Sequence, residues 1–158
     1  MFTRMIAAEV QFYDVAVFFH IAAVVLVWGP TFSYGVFFAT AGKTNPAALP
    51  TIARSILIWG RTAGRLGMLL VLVSGLYLVD ERWQWGDFFV SWGMAAIVVL
   101  FALSETFFNP TSKRFVEAFE AGRTDEVQAI ATRQRQIGPL AGIIVILTIY
   151  VMTAKPFL

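Results

Sequence analysis

The stretch FFHIAAVVLVWGPTFSYGVFF, residues 18–38, decides which solvent this chain is built for. It belongs to a run without formal charge from Val15 to Ala41. As a helix, about 20 apolar residues cross the roughly 30 Å hydrocarbon core of a bilayer, and this run is longer than that. Its polar ring is His20, the only histidine in the chain. An ionisable ring at such a place is costly unless a partner compensates it. Three roles are open to it: cofactor ligand, proton carrier, or hydrogen-bonded member of a helix interface.

The rest of the composition points the same way. Of 158 residues, 58% are hydrophobic and 14% charged. A soluble domain is about 45–50% apolar and about 25% charged. The length suits a single integral membrane domain, residues 1–158. Without cysteine, disulfides, thiolate metal sites, iron–sulfur clusters and cysteine catalysis are excluded. The net charge is only +2, and no basic stripe interleaved with aromatics speaks for nucleic acid. The first apolar run is too long for the core of a cleaved signal peptide and lacks a small-residue cleavage site, so it reads as an anchor that stays.

All periodicity is helical, and four spans are expected, at about 15–40, 51–79, 88–108 and 137–154. AGKTNPAALP (41–50), with glycine, asparagine and two prolines, reads as a loop. DERWQWGD (80–87) reads as a second loop whose tryptophans suit a membrane–water interface. Residues 109–136 are the long polar segment. Asn109 and Pro110 resemble a helix start, Gly122 a stop, and Thr124-Asp125-Glu126 a second start. With Phe115 and Phe119 on one face and charges on the other, 109–136 is expected to be a cytoplasmic amphipathic arm lying along the membrane surface. Pro30 should kink or break the first span. The expected fold class is therefore all-α, a polytopic four-helix membrane bundle with an arm between spans three and four.

Lysine and arginine set the orientation. Lys43, Arg54, Arg61, Arg65, Lys113, Arg114, Arg123, Arg133 and Arg135 fall on one side, and Arg4, Arg82 and Lys155 on the other. The positive-inside rule places the richer side in the cytoplasm. That puts both termini outside, in a bacterial plasma membrane.

Height along the spans, at about 1.5 Å per residue, decides which polar groups can meet. His20 lies about 8 Å below the outer end of its span. Ser74, Met94, Thr148 and Tyr150 fall near that height, so an outer cluster of His20, Ser74, Met94 and Tyr150 is expected. Nearer the other side, Arg54, Arg61 and Arg65 share a helix face at spacings of seven and four. Glu105 and Asn109 lie one turn apart on span three. Intramembrane charges pair, so Glu105 is expected to meet Arg65 or Arg61, giving a polar cluster of Arg61, Arg65, Glu105 and Asn109. Gly60, Gly64 and Gly67 form a small-residue stripe suited to close helix packing. No nucleophile–base pair, Walker or Rossmann pattern is visible, and one histidine with carboxylates is too poor a set for zinc.

Taken together, FFHIAAVVLVWGP, GRLGMLLVLVSGLYLV, the tryptophan-bearing loop and the terminal VMTAKPFL look like a bacterial family of four-span integral membrane proteins of unknown function. In general layout the chain is also similar to the CopD-type copper-resistance membrane proteins and the HemJ-type protoporphyrinogen oxidases. Those carry a first-span histidine followed about eight residues later by tryptophan and a small residue, here His20, Trp28 and Gly29. The resemblance implies haem b as a cofactor, with His20 as ligand. HemJ-type proteins pair their histidine with a lysine in a later span, where this chain has Met94 within SWGMAAIVV. Histidine with methionine is a known haem ligand pair.

Three functions follow from these residues. The first is a non-catalytic small membrane protein, embedded in lipid and packing against other subunits or copies of itself. The second is a b-type haem protein or haem-dependent oxidase using His20 and Met94. The third is a small transporter or channel using the Arg65/Glu105 cluster.

Overall fold

The computed structural model describes residues 11–156, so Arg4 of the charge count lies outside the described residues. Four long helical rods run alongside one another, and no strand occurs among the described residues. Each is long and apolar enough to cross a membrane: Phe12–Thr44, Pro46–Arg82, Phe88–Glu120 and Thr124–Ala154. Their 31–37 residues give lengths of about 46–55 Å. All four therefore overrun a hydrocarbon core of about 30 Å.

Three of the rods are composite. The first is α1 (Phe12–Trp28) followed by α2 (Thr31–Thr44), broken at Gly29–Pro30. Proline has no N–H and its ring crowds the preceding turn, which accounts for the break. The second rod is α3 (Leu49–Trp59), one wide π-helical turn at Gly60–Gly64, then α4 (Arg65–Arg82). The third repeats that plan with α5 (Phe88–Leu103), a π-helical turn at Ser104–Phe108, and α6 (Asn109–Glu120). The fourth is one helix, α7 (Thr124–Ala154), with Pro139 inside it. A π turn widens the helix and frees backbone carbonyls. A threonine sits in each: Thr62 Oγ1 donates to the Ile58 carbonyl at 2.7 Å, and Thr106 Oγ1 to that of Ala102 at 2.7 Å. Hydroxyls of this kind re-satisfy irregular backbone at membrane depth.

The expected surface arm does not form. Residues 109–120 continue the third rod, and 124–136 are the first turns of α7, joined by a tight turn at Gly122 with φ of +69°. Gly122 and Thr124 mark a stop and a start as the residue types indicated, but Asn109–Pro110 does not. Proline there lies in the first turn after a π segment, where its missing N–H is tolerated. The apolar face of this segment is spent inside the protein. Phe115 is 3% exposed and clusters with Ala53 and Val116, against Phe38, Leu49, Phe119, Val127 and Ile130. The ends of α2 and α3 overrun on the same side, so they offer that face a protein surface in place of lipid.

Two further clusters complete the core. In the middle, Ala23, Val27, Trp28, Met68, Val71, Leu100, Ala141 and Val145 bring all four rods together. Two glycines make close approaches: a Cβ at Gly93 would run into Met152 Cε, and one at Gly67 into Val27 Cγ2, so α1 and α4 touch almost backbone to side chain. At the far end, Phe89, Val90 and Val151 pack with Val79, Trp83, Trp92 and Met152. This tryptophan end holds the 83–87 turn and the end of α7. The opposite, arginine end holds the 45–48 and 121–123 turns.

Candidate functional site

Two polar levels cross the bundle, and equal counting from the tryptophan end explains both. Ser74 is eight residues before the end of α4, and His20 eight residues after the start of α1. Both therefore sit at about 12 Å depth. His20 Nδ1 and Ser74 Oγ are 3.0 Å apart. The serine proton is taken by the Leu70 carbonyl, as is usual for serine inside a helix. With its proton committed there, the hydroxyl offers the imidazole a lone pair, so the ring proton is assigned to Nδ1 and Nε2 keeps its lone pair. Room for the ring comes from Gly75, where a Cβ would lie 3.2 Å from His20 Cε1.

Other members of the expected outer cluster are elsewhere. Met94 is 37% exposed and Tyr150 61% exposed, both on outward faces of their helices. Thr148 Oγ1 instead accepts from Trp92 Nε1 at 3.1 Å, joining α5 to α7. Height is shared, but azimuth is not. The main packing partner of α1 is α4, while α5 packs chiefly on α7.

The second level is charged. Arg65 is seventeen residues before the end of α4, and Glu105 seventeen after the start of α5, a depth of about 26 Å. Arg65 grips Glu105 with two parallel bonds, Nε to Oε1 at 2.8 Å and Nη2 to Oε2 at 2.6 Å. Such bidentate pairing is geometrically specific. Asn109 Nδ2 donates to the same Oε1 at 3.2 Å, and its Oδ1 occupies the space beside Gly60 where a Cβ would lie 2.9 Å away. The side chains of Arg65 and Glu105 remain 49% and 27% exposed. Of the expected inner cluster, Arg65, Glu105 and Asn109 come together. Arg61 lies within the π turn, is exposed, and makes none of these bonds. Arg54 pairs instead with Glu120 on α6.

This charged level is also where the rods are irregular. Gly29–Pro30, Gly60–Gly64, Ser104–Phe108 and Pro139 all lie 15–22 residues from the tryptophan end. Phe32, just past the first break, reaches the space beside Gly142 on α7. The π turns were not legible in the sequence, although their glycines and threonines were in view. The stripe of Gly60, Gly64 and Gly67 serves internal packing through Asn109 and Val27.

The tryptophan end is tied by cations lying on rings. Arg82 sits over Tyr13 at 3.9 Å and also bonds Gln11, while Lys155 Nζ lies 3.5 Å above the Trp83 ring. Trp83 Nε1 in turn donates to Tyr13 at 3.3 Å. Two surface clefts include none of His20, Ser74, Arg65 and Glu105. One, of about 310 Å³, runs between α2 and α3 and is lined by Pro30, Tyr34, Phe37, Ile52, Ile56 and Trp59 among others. The other follows residues 122–126. As a haem site within one chain the residues do not fit: His20 supplies one nitrogen, Met94 is not opposite it, and neither cleft includes it. No group of three or more metal-ligating side chains occurs among the described residues. Comparison with protein families, with curated proteins and with solved structures gives no match.

Proposed function

We propose that this chain is a non-catalytic multi-pass protein of the bacterial plasma membrane, with both termini outside and the arginine end in the cytoplasm. It acts by packing against other membrane spans, as a small subunit or as a homo-oligomer. The observation that carries this reading is how the polar groups within the spans are used. Arg65, Glu105 and Asn109 satisfy one another, His20 pairs with Ser74, and Trp92 with Thr148. These bonds link α1 to α4, α4 to the third rod, and α5 to α7, which is the work of a scaffold. They also leave the Arg65–Glu105 pair engaged with itself, as a fixed strut does.

Cross-linking in native membranes, followed by mass measurement of the detergent-solubilised particle, tests it. The expected result is a complex larger than one chain. A particle of one chain, joined to nothing in the membrane, overturns the proposal.

A b-type haem protein is the second reading, and one observation favours it. His20 Nδ1 is engaged by Ser74 at 3.0 Å, which leaves Nε2 as the ring's ligating atom, the arrangement in which a metal-bound histidine is held by its outer partner. The remaining ligand would have to come from a second chain, since this one offers none opposite His20. A Soret band in protein prepared with haem, lost in His20→Ala, supports this reading; its absence in the wild type removes it.

A further inference from the structure

Ion pairing at the arginine end leaves a one-sided remainder. Arg54 pairs with Glu120, Arg65 with Glu105, Lys113 with Glu117 at 3.6 Å, and Arg123 with Glu126 at 3.1 Å. Among the described residues, the charged groups of this end outside any ion pair are Asp125 and five cations: Lys43, Arg61, Arg114, Arg133 and Arg135. Their heights differ. Arg61 and Arg133 are each 21 residues from the tryptophan end of their helices, and Arg135 is 19. That is about 28–32 Å, the thickness of the hydrocarbon core. Lys43 and Arg114 lie farther out, at about 46 and 39 Å.

The two sides of the third rod share this collar. Glu105, facing α4, and Phe107 belong to the same π turn. Arg61 precedes Arg65 by one turn on the Glu105 side. Arg133 lies over the Phe107 ring at 5.4 Å, which holds its guanidinium at that height. Among the described residues the tryptophan end has no comparable cationic remainder: the acids Asp14, Asp80, Glu81 and Asp87 outnumber Arg82 and Lys155 there.

We infer that Arg61, Arg133 and Arg135 form a collar that binds the phosphate headgroups of anionic phospholipids in the adjoining leaflet. The inference rests on the membrane placement proposed above and adds a lipid class and the residues that select it. The recognising chemistry is a phosphate monoanion at the edge of hydrocarbon met by an unpaired guanidinium. A basic residue at such a surface contributes about a fivefold preference, so three contribute about a hundredfold. Salt weakens the effect, because the charges face the aqueous layer.

The test uses the full chain reconstituted in vesicles of phosphatidylcholine, alone or mixed with phosphatidylglycerol, with bound lipid read by native mass spectrometry. The wild type should retain phosphatidylglycerol preferentially. Changing Arg61, Arg133 and Arg135 together to Gln should reduce that preference about a hundredfold. The change to Lys at all three should keep most of it, since a lipid phosphate is attracted by charge more than by fork geometry. Lys43→Gln with Arg114→Gln should leave it intact. If the triple Gln protein does not fold, Arg133→Gln alone should still lose about fivefold. An undiminished preference in the arginine variants, or an equal loss in the Lys43/Arg114 pair, overturns the collar. Inorganic phosphate that displaces the lipid overturns lipid as the ligand. A protein that inserts but shows no lipid preference sinks the collar alone. A protein released from membranes by alkaline carbonate, without detergent, sinks the membrane placement as well.

Discussion

The His20–Ser74 level and the Arg65–Glu105 level are built by the same arithmetic and differ in almost everything else. Each joins residues equally far from the tryptophan end of their helices. The His20 level is neutral, set in regular helix, and closed around a buried serine. The Arg65 level is ionic, set between irregular turns, and partly open. Depth accounts for the contrast. At about 12 Å a charge has no water in reach, so the pair that survives there is a neutral hydrogen bond. At about 26 Å the side chains approach the headgroups, where an arginine can stay ionised with its stem in apolar surroundings.

The largest effect should come from the helix contact between the two levels. Gly67→Leu forces a side chain into Val27, and overpacking of this kind costs about 1–3 kcal/mol. Because α1 and α4 must part, the His20–Ser74 bond should be lost as well. The thermal midpoint in detergent reads the first consequence, and the histidine ring NMR signals read the second. Gly138→Leu is the reference, because nothing lies within 4 Å of a Cβ there. If the two variants melt alike, the close approach of α1 and α4 does not hold the levels together.

The charged level comes next. Glu105→Gln leaves Arg65 without its carboxylate and weakens the acceptor for Asn109. Glu117→Gln removes only an exposed pair one turn apart, with Lys113. Partly screened and bidentate should outweigh exposed and monodentate, so Glu105→Gln should lower the melting midpoint by about twice as much or more. Equal shifts would show that the Arg65 pair is as expendable as a surface one.

These contrasts also show what a sequence of this kind makes legible. Spans, the positions of the reversals and the break at Pro30 were readable because charge, proline and apolar length leave one-dimensional traces, although helix takes up 41–44, 49–50 and 80–82 of the expected loops. So was the meeting of Arg65 with Glu105, since both lie at one height and an unpaired charge there is costly. Met94 and Tyr150 were misplaced beside His20 because height says nothing about azimuth, and α1 leans on α4 with α5 turned toward α7. The segment 109–136 was misread for another reason. Its polarity is that of a surface arm, but Phe115 and Val116 find α3, whose overrun beyond the apolar span is invisible until the rods are assembled.

At the neutral level the expected effect is smaller. Ser74→Ala removes the acceptor for His20 Nδ1–H. Hydrogen bonds between membrane helices average about 0.6 kcal/mol, so the loss should be about 0.5–1 kcal/mol. His20→Phe keeps the bulk and removes the bond from the other side, and should cost a similar amount. A double change that costs no more than either single one would identify the bond as the shared cause. Fully additive losses would mean that each residue acts through packing.

The smallest expected effect is an interaction energy near zero. The two levels are about 13 Å apart along the helices. Sites separated by more than about 7–10 Å with no shared partner usually add within about 0.3–0.5 kcal/mol. Ser74→Ala combined with Glu105→Gln should therefore destabilise by the sum of the separate losses. The shared element is α4, a stiff rod that carries Arg65 at one end and Ser74 near its middle. If α4 shifted as a unit when released from Glu105, it would carry Ser74 away from His20. The second change would then cost less than it does alone. Non-additivity above about 0.5 kcal/mol would show that the two levels are one mechanical system. In that case the irregular turns at 60–64 and 104–108 are joints between moving halves, in place of the fixed struts that a scaffold requires.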